Sequence, residues 1–163
     1  MDNLERCPTC GGEHFAFKKT HYHFLESGLD NVHLTNVEIG ICSECGEEIV
    51  CIPHSTELMK LIGESVLLKP MNLNGAEIRF LRKNLHLKIT DFAQLLGVDR
   101  VTVSRWENGH EKPSRAVDRL VRLTYAVEAK ITEATMEQVR KNLRSEEVDS
   151  KVDYFVPVPL ASW

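Results

Sequence analysis

Apolar and polar residues alternate through the first third of the chain and then change period. Phe15 and Phe17 alternate with polar neighbours, as do Tyr22 and Phe24. After the turn-like Glu26-Ser27-Gly28-Leu29-Asp30-Asn31, Val32 and Leu34, then Val37, Ile39 and Ile41, continue the two-residue period. Ile49-Val50-Cys51-Ile52 forms a further strand, stopped by Pro53. A period of two marks half-buried strands, so this stretch predicts a small antiparallel sheet.

Beyond Pro53 the spacing becomes three and four, which marks helices. Ser55 is a candidate cap for a short helix with Leu58, Leu61 and Ile62 on its apolar face, ended by Gly63. Residues 64–75, with Pro70, Asn72 and Asn74, read as a linker; the alternative is an arm packed through Val66, Leu67 and Leu68. Ile78, Leu81 and Leu85 share one face of the next helix. Thr90 to Leu96 makes a short helix ending at Gly97, and Asp99 caps another over 100–107, closed by Asn108-Gly109. Ser114 caps a helix with Val117, Leu120, Leu123 and Val127 assigned to its inner face, and Thr132 starts a last one carrying Met136, Val139 and Leu143. That final stripe either closes the core or forms a dimer seam. The expected fold is α+β in two domains, a small antiparallel sheet followed by an all-α unit of five helices. The expected boundaries are 1–53, a connecting helix and linker at 54–75, the helical unit at 76–145 and a tail at 146–163.

Composition is that of an ordinary globular chain, 163 residues with 42% apolar and 27% charged. No apolar run approaches a membrane span, and the first six residues lack the basic-then-apolar pattern of a secretory leader. Charge is more informative once divided. Residues 1–70 carry a net −6, residues 71–145 a net +5 and residues 146–163 a net −3. The whole-chain balance of −4 therefore hides a basic middle suited to phosphate, which acts over a Debye length of about 8 Å.

Four of the five cysteines fall in two matching pairs, Cys7-Pro8-Thr9-Cys10-Gly11 and Cys42-Ser43-Glu44-Cys45-Gly46. Two such turns aim four thiolates at one ion, the closed tetrahedral set of a structural zinc site. Redox chemistry at Cys7 and Cys10 is the competing reading, but a redox pair sits at a helix N-terminus and here strands follow. Cys51 reads as a strand residue, and His14, His21, His23 and His33 as surface or strand histidines. A sheet this small has little core, so the metal would hold it folded. Paired thiols outside any disulfide framework suit a reducing compartment, the cytoplasm.

Small Ala93, Gly97 in the turn and apolar Val103 suit the close crossing of a helix-turn-helix. Ile78-Arg79-Phe80-Leu81-Arg82-Lys83, Phe92-Ala93-Gln94-Leu95-Leu96-Gly97-Val98 and Thr102-Val103-Ser104-Arg105-Trp106-Glu107-Asn108-Gly109 strongly resemble the Xre/Cro type of DNA-binding domain. With the four-cysteine ribbon in front, the chain resembles the MqsA (YgiT-type) antitoxin family. The resemblance implies that Arg100, Val101 and Arg105 face base edges. It implies that Thr102, Ser104, Asn108, Lys112, Ser114 and Arg115 lie near the DNA backbone, where Lys88, at a position that departs from the family, could replace a phosphate contact by its charge, and that Trp106 packs in the core. The family usually has Ser or Thr and then Gln at the start of the second helix; this chain has Lys88 and Ile89, and Ile89 cannot hydrogen-bond to a phosphate.

The resemblance further implies a non-enzymatic repressor. Its zinc domain would bind a small basic ribonuclease toxin, and its helix-turn-helix homodimer would bind a palindromic operator on double-stranded DNA. The alternative is a stand-alone Xre-type regulator whose zinc domain binds another protein or senses metal. In the tail, Tyr154, Phe155, Leu160 and Trp163 are costly to leave in water, so it is expected to dock, and Pro157 and Pro159 favour an extended arm.

Overall fold

The computed structural model describes residues 6–144 and 152–159. Expectations about the first residues, the acidic stretch from Glu146, Leu160 and Trp163 lie outside those ranges. The order is β1 (Phe15–His23), a 3-10 turn (Leu25–Ser27), β2 (Val32–Cys42), β3 (Glu48–Cys51) and α1 (Ser55–Leu67). It continues with α2 (Gly75–Asn84), α3 (Ile89–Leu95), α4 (Arg100–Glu107), α5 (Arg115–Glu128), α6 (Glu133–Arg144) and β4 (Tyr154–Pro157). The fold is α+β, with a small sheet ahead of the helices, five of which follow the connecting α1.

β2 is the spine of the sheet. β1 pairs with it antiparallel from Phe15↔Cys42 to His23↔His33, and β3 pairs antiparallel from Glu38↔Cys51 to Ile41↔Glu48. The two alternating series in β2, 32/34 and 37/39/41, differ in parity, and the structure reconciles them with a bulge. Thr20 pairs with Val37 and Tyr22 with Leu34, so Thr35 and Asn36 together oppose His21, and Asn36 takes a φ of 61°. Val32, Leu34, Val37 and Ile39 thereby all reach the same buried face.

The tail docks as an extended strand, and it does so on this chain. β4 lies parallel to β2, with Val32↔Tyr154 and Thr35↔Pro157, on the stretch of edge that β3 does not reach. Tyr154, Val156 and Val158 are buried, while Phe155 points outward and stacks on His33, with ring centroids 5.3 Å apart.

α1 differs from the short helix expected. It starts after His54, which takes a left-handed φ of 54°, and runs through Gly63 to Leu67. Gly63 does not end the helix. A Cβ there would lie 1.9 Å from the Tyr125 hydroxyl, so the residue is small because α5 crosses at that point. Val66 and Leu67 are fully buried, which makes the segment after Gly63 a packed arm.

α5 also turns differently from expectation. Leu120, Leu123 and Val127 are exposed, and Asp118, Val121, Arg122, Tyr125 and Ala126 face inward. Asp118 and Arg122 tolerate burial because they satisfy each other and the backbone. Arg122 binds Asp118 at 2.9 Å and donates to the carbonyls of Leu67, Lys69 and Met71. The second Asp118 oxygen accepts the Leu73 N–H at 2.7 Å. On α6, Val139 is fully buried and Met136 and Leu143 pack beside it, so that stripe closes the core.

Candidate metal centre and nucleic-acid interface

The two cysteine turns have nearly the same geometry. In the first, Gly11 N–H donates to Cys7 O at 2.8 Å and Cys7 N–H to Gly12 O at 2.7 Å. In the second, Gly46 N–H donates to Cys42 O at 2.9 Å and Cys42 N–H to Glu47 O at 3.0 Å. Gly11 and Gly46 have φ of 78° and 77°, a left-handed conformation that closes each turn and that side-chain-bearing residues rarely adopt. Ser43 N–H donates to His14 O at 2.9 Å and joins the two turns.

All four sulfurs lie within 4.8 Å of one another. Cys7 Sγ to Cys45 Sγ and Cys10 Sγ to Cys42 Sγ are each 3.6 Å. Thiolates about 2.3 Å from a central zinc stand about 3.8 Å apart, so the donor set fits one tetrahedral ion. Gly12 N–H donates to Cys10 Sγ at 3.4 Å, the polarity a thiolate favours. Without a metal the thiols divide. The Cys10 backbone N–H brings the Cys7 thiol down to about 7. The Glu47 backbone N–H lowers Cys45, but its bond with Cys10, desolvation and the other two thiols outweigh that and push it up to about 12. Among the described residues no histidine joins the cluster, and Cys51 is half-buried in β3.

The helix-turn-helix is α3 and α4. Gly97, at φ 66°, makes the turn, and buried Ala93 and Val103 allow the close crossing. Asp99 caps α4, accepting Thr102 N–H at 2.9 Å and Thr102 Oγ1–H at 2.6 Å. Those bonds hold the Asp99 carboxyl below the usual carboxylate range, the Thr102 hydroxyl contributing most. Trp106 is buried.

Of the base-facing residues inferred from sequence, Arg100, Val101 and Arg105 are all exposed on α4. Neither arginine makes an ion pair among the described residues. The backbone-facing set is more divided. Lys88, at the N-cap of α3, and Lys112 are exposed. The Thr102 hydroxyl is taken up by the Asp99 cap. Asn108 donates to Ser104 O at 2.8 Å and to its hydroxyl at 3.3 Å, and accepts from Arg79 at 2.5 Å, closing the end of α4. Ser114 caps α5 by accepting Val117 N–H at 3.3 Å, and exposed Arg115 opens that helix.

The sequence reading missed what aims α4. Glu107 is nearly buried and holds Arg82 through two bonds of 2.6 and 2.9 Å. At Gly75 a Cβ would stand 2.2 Å from Trp106 O, so α2 begins hard against the end of α4. Asn74 and Glu77 form a capping box there, with Glu77 N–H donating to Asn74 Oδ1 at 2.9 Å and Asn74 N–H to Glu77 Oε2 at 2.7 Å. The signal was present, an Asn followed three residues later by Glu ahead of an apolar run.

Comparison with known proteins agrees with this geometry. The profile of the family described as the antitoxin component of bacterial toxin-antitoxin system, MqsA, matches residues 5–128, which include both cysteine turns and α1 to α5. The relative named "Uncharacterized HTH-type transcriptional regulator YiaG", from Escherichia coli strain K12, is 41% identical over 63 residues, covering 39% of this chain and 66% of the relative. The protein of that name from Escherichia coli O157:H7 matches to the same extent. The chain thus spans just under two thirds of the length of these curated relatives. No solved structure matches. No helix among the described residues is long and apolar enough to cross a membrane. Across its two cysteine turns and its helix-turn-helix, the chain belongs to the MqsA antitoxin family.

Proposed function

We propose that this chain is a transcriptional repressor that also serves as a type II antitoxin. The observation that carries the reading is the family match over a span holding both a four-thiol cluster and an α4 that presents Arg100, Val101 and Arg105 together. Cys7, Cys10, Cys42 and Cys45 hold one zinc ion, which fixes the sheet and performs no reaction. Arg100, Val101 and Arg105 read base edges in the major groove. Lys88, Thr102, Ser104, Asn108, Lys112, Ser114 and Arg115 follow the DNA backbone, although Thr102, Asn108 and Ser114 bring hydroxyls or amides already committed to helix ends. The 76–145 region is the DNA-reading module and the sheet of 1–53 is the toxin-binding module.

A homodimer on a palindromic operator suits this arrangement, because one recognition helix reads few base pairs and two half-sites recur about 34 Å apart. The exposed Leu120, Leu123 and Val127 of α5 are the apolar seam available for it. The partner of the sheet is a small basic ribonuclease toxin. Glu44 and Glu47 are exposed at the second cysteine turn, while Glu13 and Glu48 pair with Arg6 and Lys18, and four thiolates on a divalent ion add negative charge. With thiols free of disulfides the chain works in the cytoplasm. It is a regulator rather than an enzyme, as the family description and the relatives' name support.

The test is co-expression of the chain with its neighbouring genes, followed by purification and mass spectrometry. A stoichiometric small basic protein that arrests growth when expressed alone is the expected result. A homodimer that binds its own promoter but carries no such partner would favour the second reading, a stand-alone regulator. The relatives' printed name, which mentions transcription and no toxin, points that way.

A further inference from the structure

The resemblance to the Xre/Cro type leaves one departure without a role. Ile89 stands where a glutamine would reach a phosphate, and no rearrangement of a hydrocarbon restores that bond. In the structure Ile89 is the first residue of α3, half-buried, with part of its side chain on the core. The rest lines an open depression of about 190 Å³ whose other walls are Arg100, Val101 and Ser104 of α4. The departure therefore places a branched hydrocarbon opposite Val101, in a depression that Arg100 also lines.

Three features narrow what fits there. The depression is open to solvent and has no buried polar side chain converging on it, so it does not suit an enclosed small ligand. Ile89 of α3 and Val101 of α4, which is 52% exposed, give it apolar walls. Beside Val101, α4 adds the Arg100 guanidinium and the Ser104 hydroxyl, whose oxygen accepts from Asn108 at 3.3 Å and whose proton has no acceptor among the described residues. In the major groove the one apolar base edge is the thymine C5-methyl, and it lies beside the thymine O4 acceptor. An apolar wall beside N–H and O–H donors complements that edge.

We propose that Ile89 and Val101 together form a methyl-reading slot that fixes a thymine in each operator half-site. This rests on the DNA-binding reading above and deepens it. The residue that removed a phosphate contact contributes sequence preference in its place.

The full-length, zinc-loaded chain is first given a random-sequence duplex library to select its operator. Each thymine of that operator is then replaced singly by deoxyuridine, which removes only the methyl group. The expected result is one position per half-site at which the wild type loses affinity about three- to tenfold, the scale of one buried methyl contact. Ile89→Gln and Val101→Ala should each bind thymine and deoxyuridine operators equally. Val101→Ala is the safeguard, since its side chain lies outside the core and its loss does not threaten folding. Operator binding that is indifferent to every deoxyuridine, or variants that keep the wild-type penalty, would overturn the slot alone. Failure to select any sequence would overturn the DNA-binding reading and the slot with it.

Discussion

The Tyr154 hydroxyl donates to Glu77 Oε1 at 2.6 Å, joining the C-terminal strand to the first turn of α2. The Glu77 carboxylate is fully buried and also accepts both Lys69 Nζ, at 2.8 and 3.0 Å, and the Asn74 N–H. Burial, with the Glu77 charge beside it, pushes the Tyr154 phenol well above its ordinary range, so it stays protonated and donating. Tyr154→Phe removes that one bond and keeps the ring. A buried hydrogen bond to a charged group contributes about 1.5–3 kcal/mol. The variant should lose that much in urea-unfolding free energy, with an unchanged circular dichroism spectrum. A loss under about 0.5 kcal/mol, within the ordinary spread for surface substitutions, would mean the carboxylate is satisfied without the tail.

Metal removal should be felt beyond the cysteine turns. Cys42 ends β2, whose other end carries β4 and, through Tyr154, α2. Buried residues of the sheet, of α1 and of the later helices form one continuous core. A chelator, or Cys42→Ser, should therefore lower the thermal midpoint of the whole chain in one calorimetric transition, with one metal ion lost per chain. Two transitions, the upper one unmoved, would show that sheet and helices melt as independent units.

Local features were the legible ones. Each cysteine turn and the α3–α4 pair is encoded within a few residues, by spacing, a glycine at positive φ and a capping side chain. What escaped was set by distant partners. Gly63 looks like a helix stop until Tyr125 is seen against it. Asp118 and Arg122 look like surface residues, so Leu120 and Leu123 take the inner face on paper. Yet that acid and base satisfy each other and three carbonyls of the arm after α1, and the helix turns accordingly. The apolar tail announced that it would dock, but only the bulge in β2 and the short reach of β3 show where.

The proposed DNA contacts divide by type, and so should their variants. On the proposed reading, Arg105→Ala removes a donor for base edges. It should weaken binding to the selected operator by about 1–3 kcal/mol while leaving nonspecific affinity almost unchanged. Lys112→Ala removes an exposed charge that the same proposal sets along the DNA backbone. It should weaken all sequences alike and reduce the slope of log affinity against log salt by about 1. Fluorescence anisotropy across a salt series, on operator and scrambled duplexes, separates the two. Equal losses on both duplexes for Arg105→Ala would remove it from the base-reading set.

The outward stripe of α5 gives a prediction about assembly. Leu123 is 41% exposed, midway between Leu120 and Val127 on the helix surface. A charge there is solvated in a monomer and stranded in an apolar seam. If the proposed dimer forms through this stripe, Leu123→Glu should keep the fold and metal content, sediment as a monomer at concentrations where the wild type self-associates, and bind a single half-site without cooperativity. A variant that still dimerises would place the seam elsewhere.

Asp99 predicts a pH dependence of known sign. Its carboxyl is lowered by the Thr102 hydroxyl and then by the Thr102 N–H at the start of α4, so the ionised form is the one the fold favours. A group depressed on folding contributes fully above its unfolded value, about 3.9 for an aspartate, and loses that contribution as pH falls through the lower folded value. Asp99→Asn keeps an oxygen for the Thr102 N–H but cannot titrate. Measured side by side from pH 7 down to about 2, wild type should have the higher thermal midpoint at neutral pH, and the gap should close only below about pH 4. Acid also protonates the metal thiolates, but it does so in both proteins, so the difference between them isolates the cap. A gap that stays constant down to the lowest pH would show that the charge on Asp99 contributes nothing to holding α4.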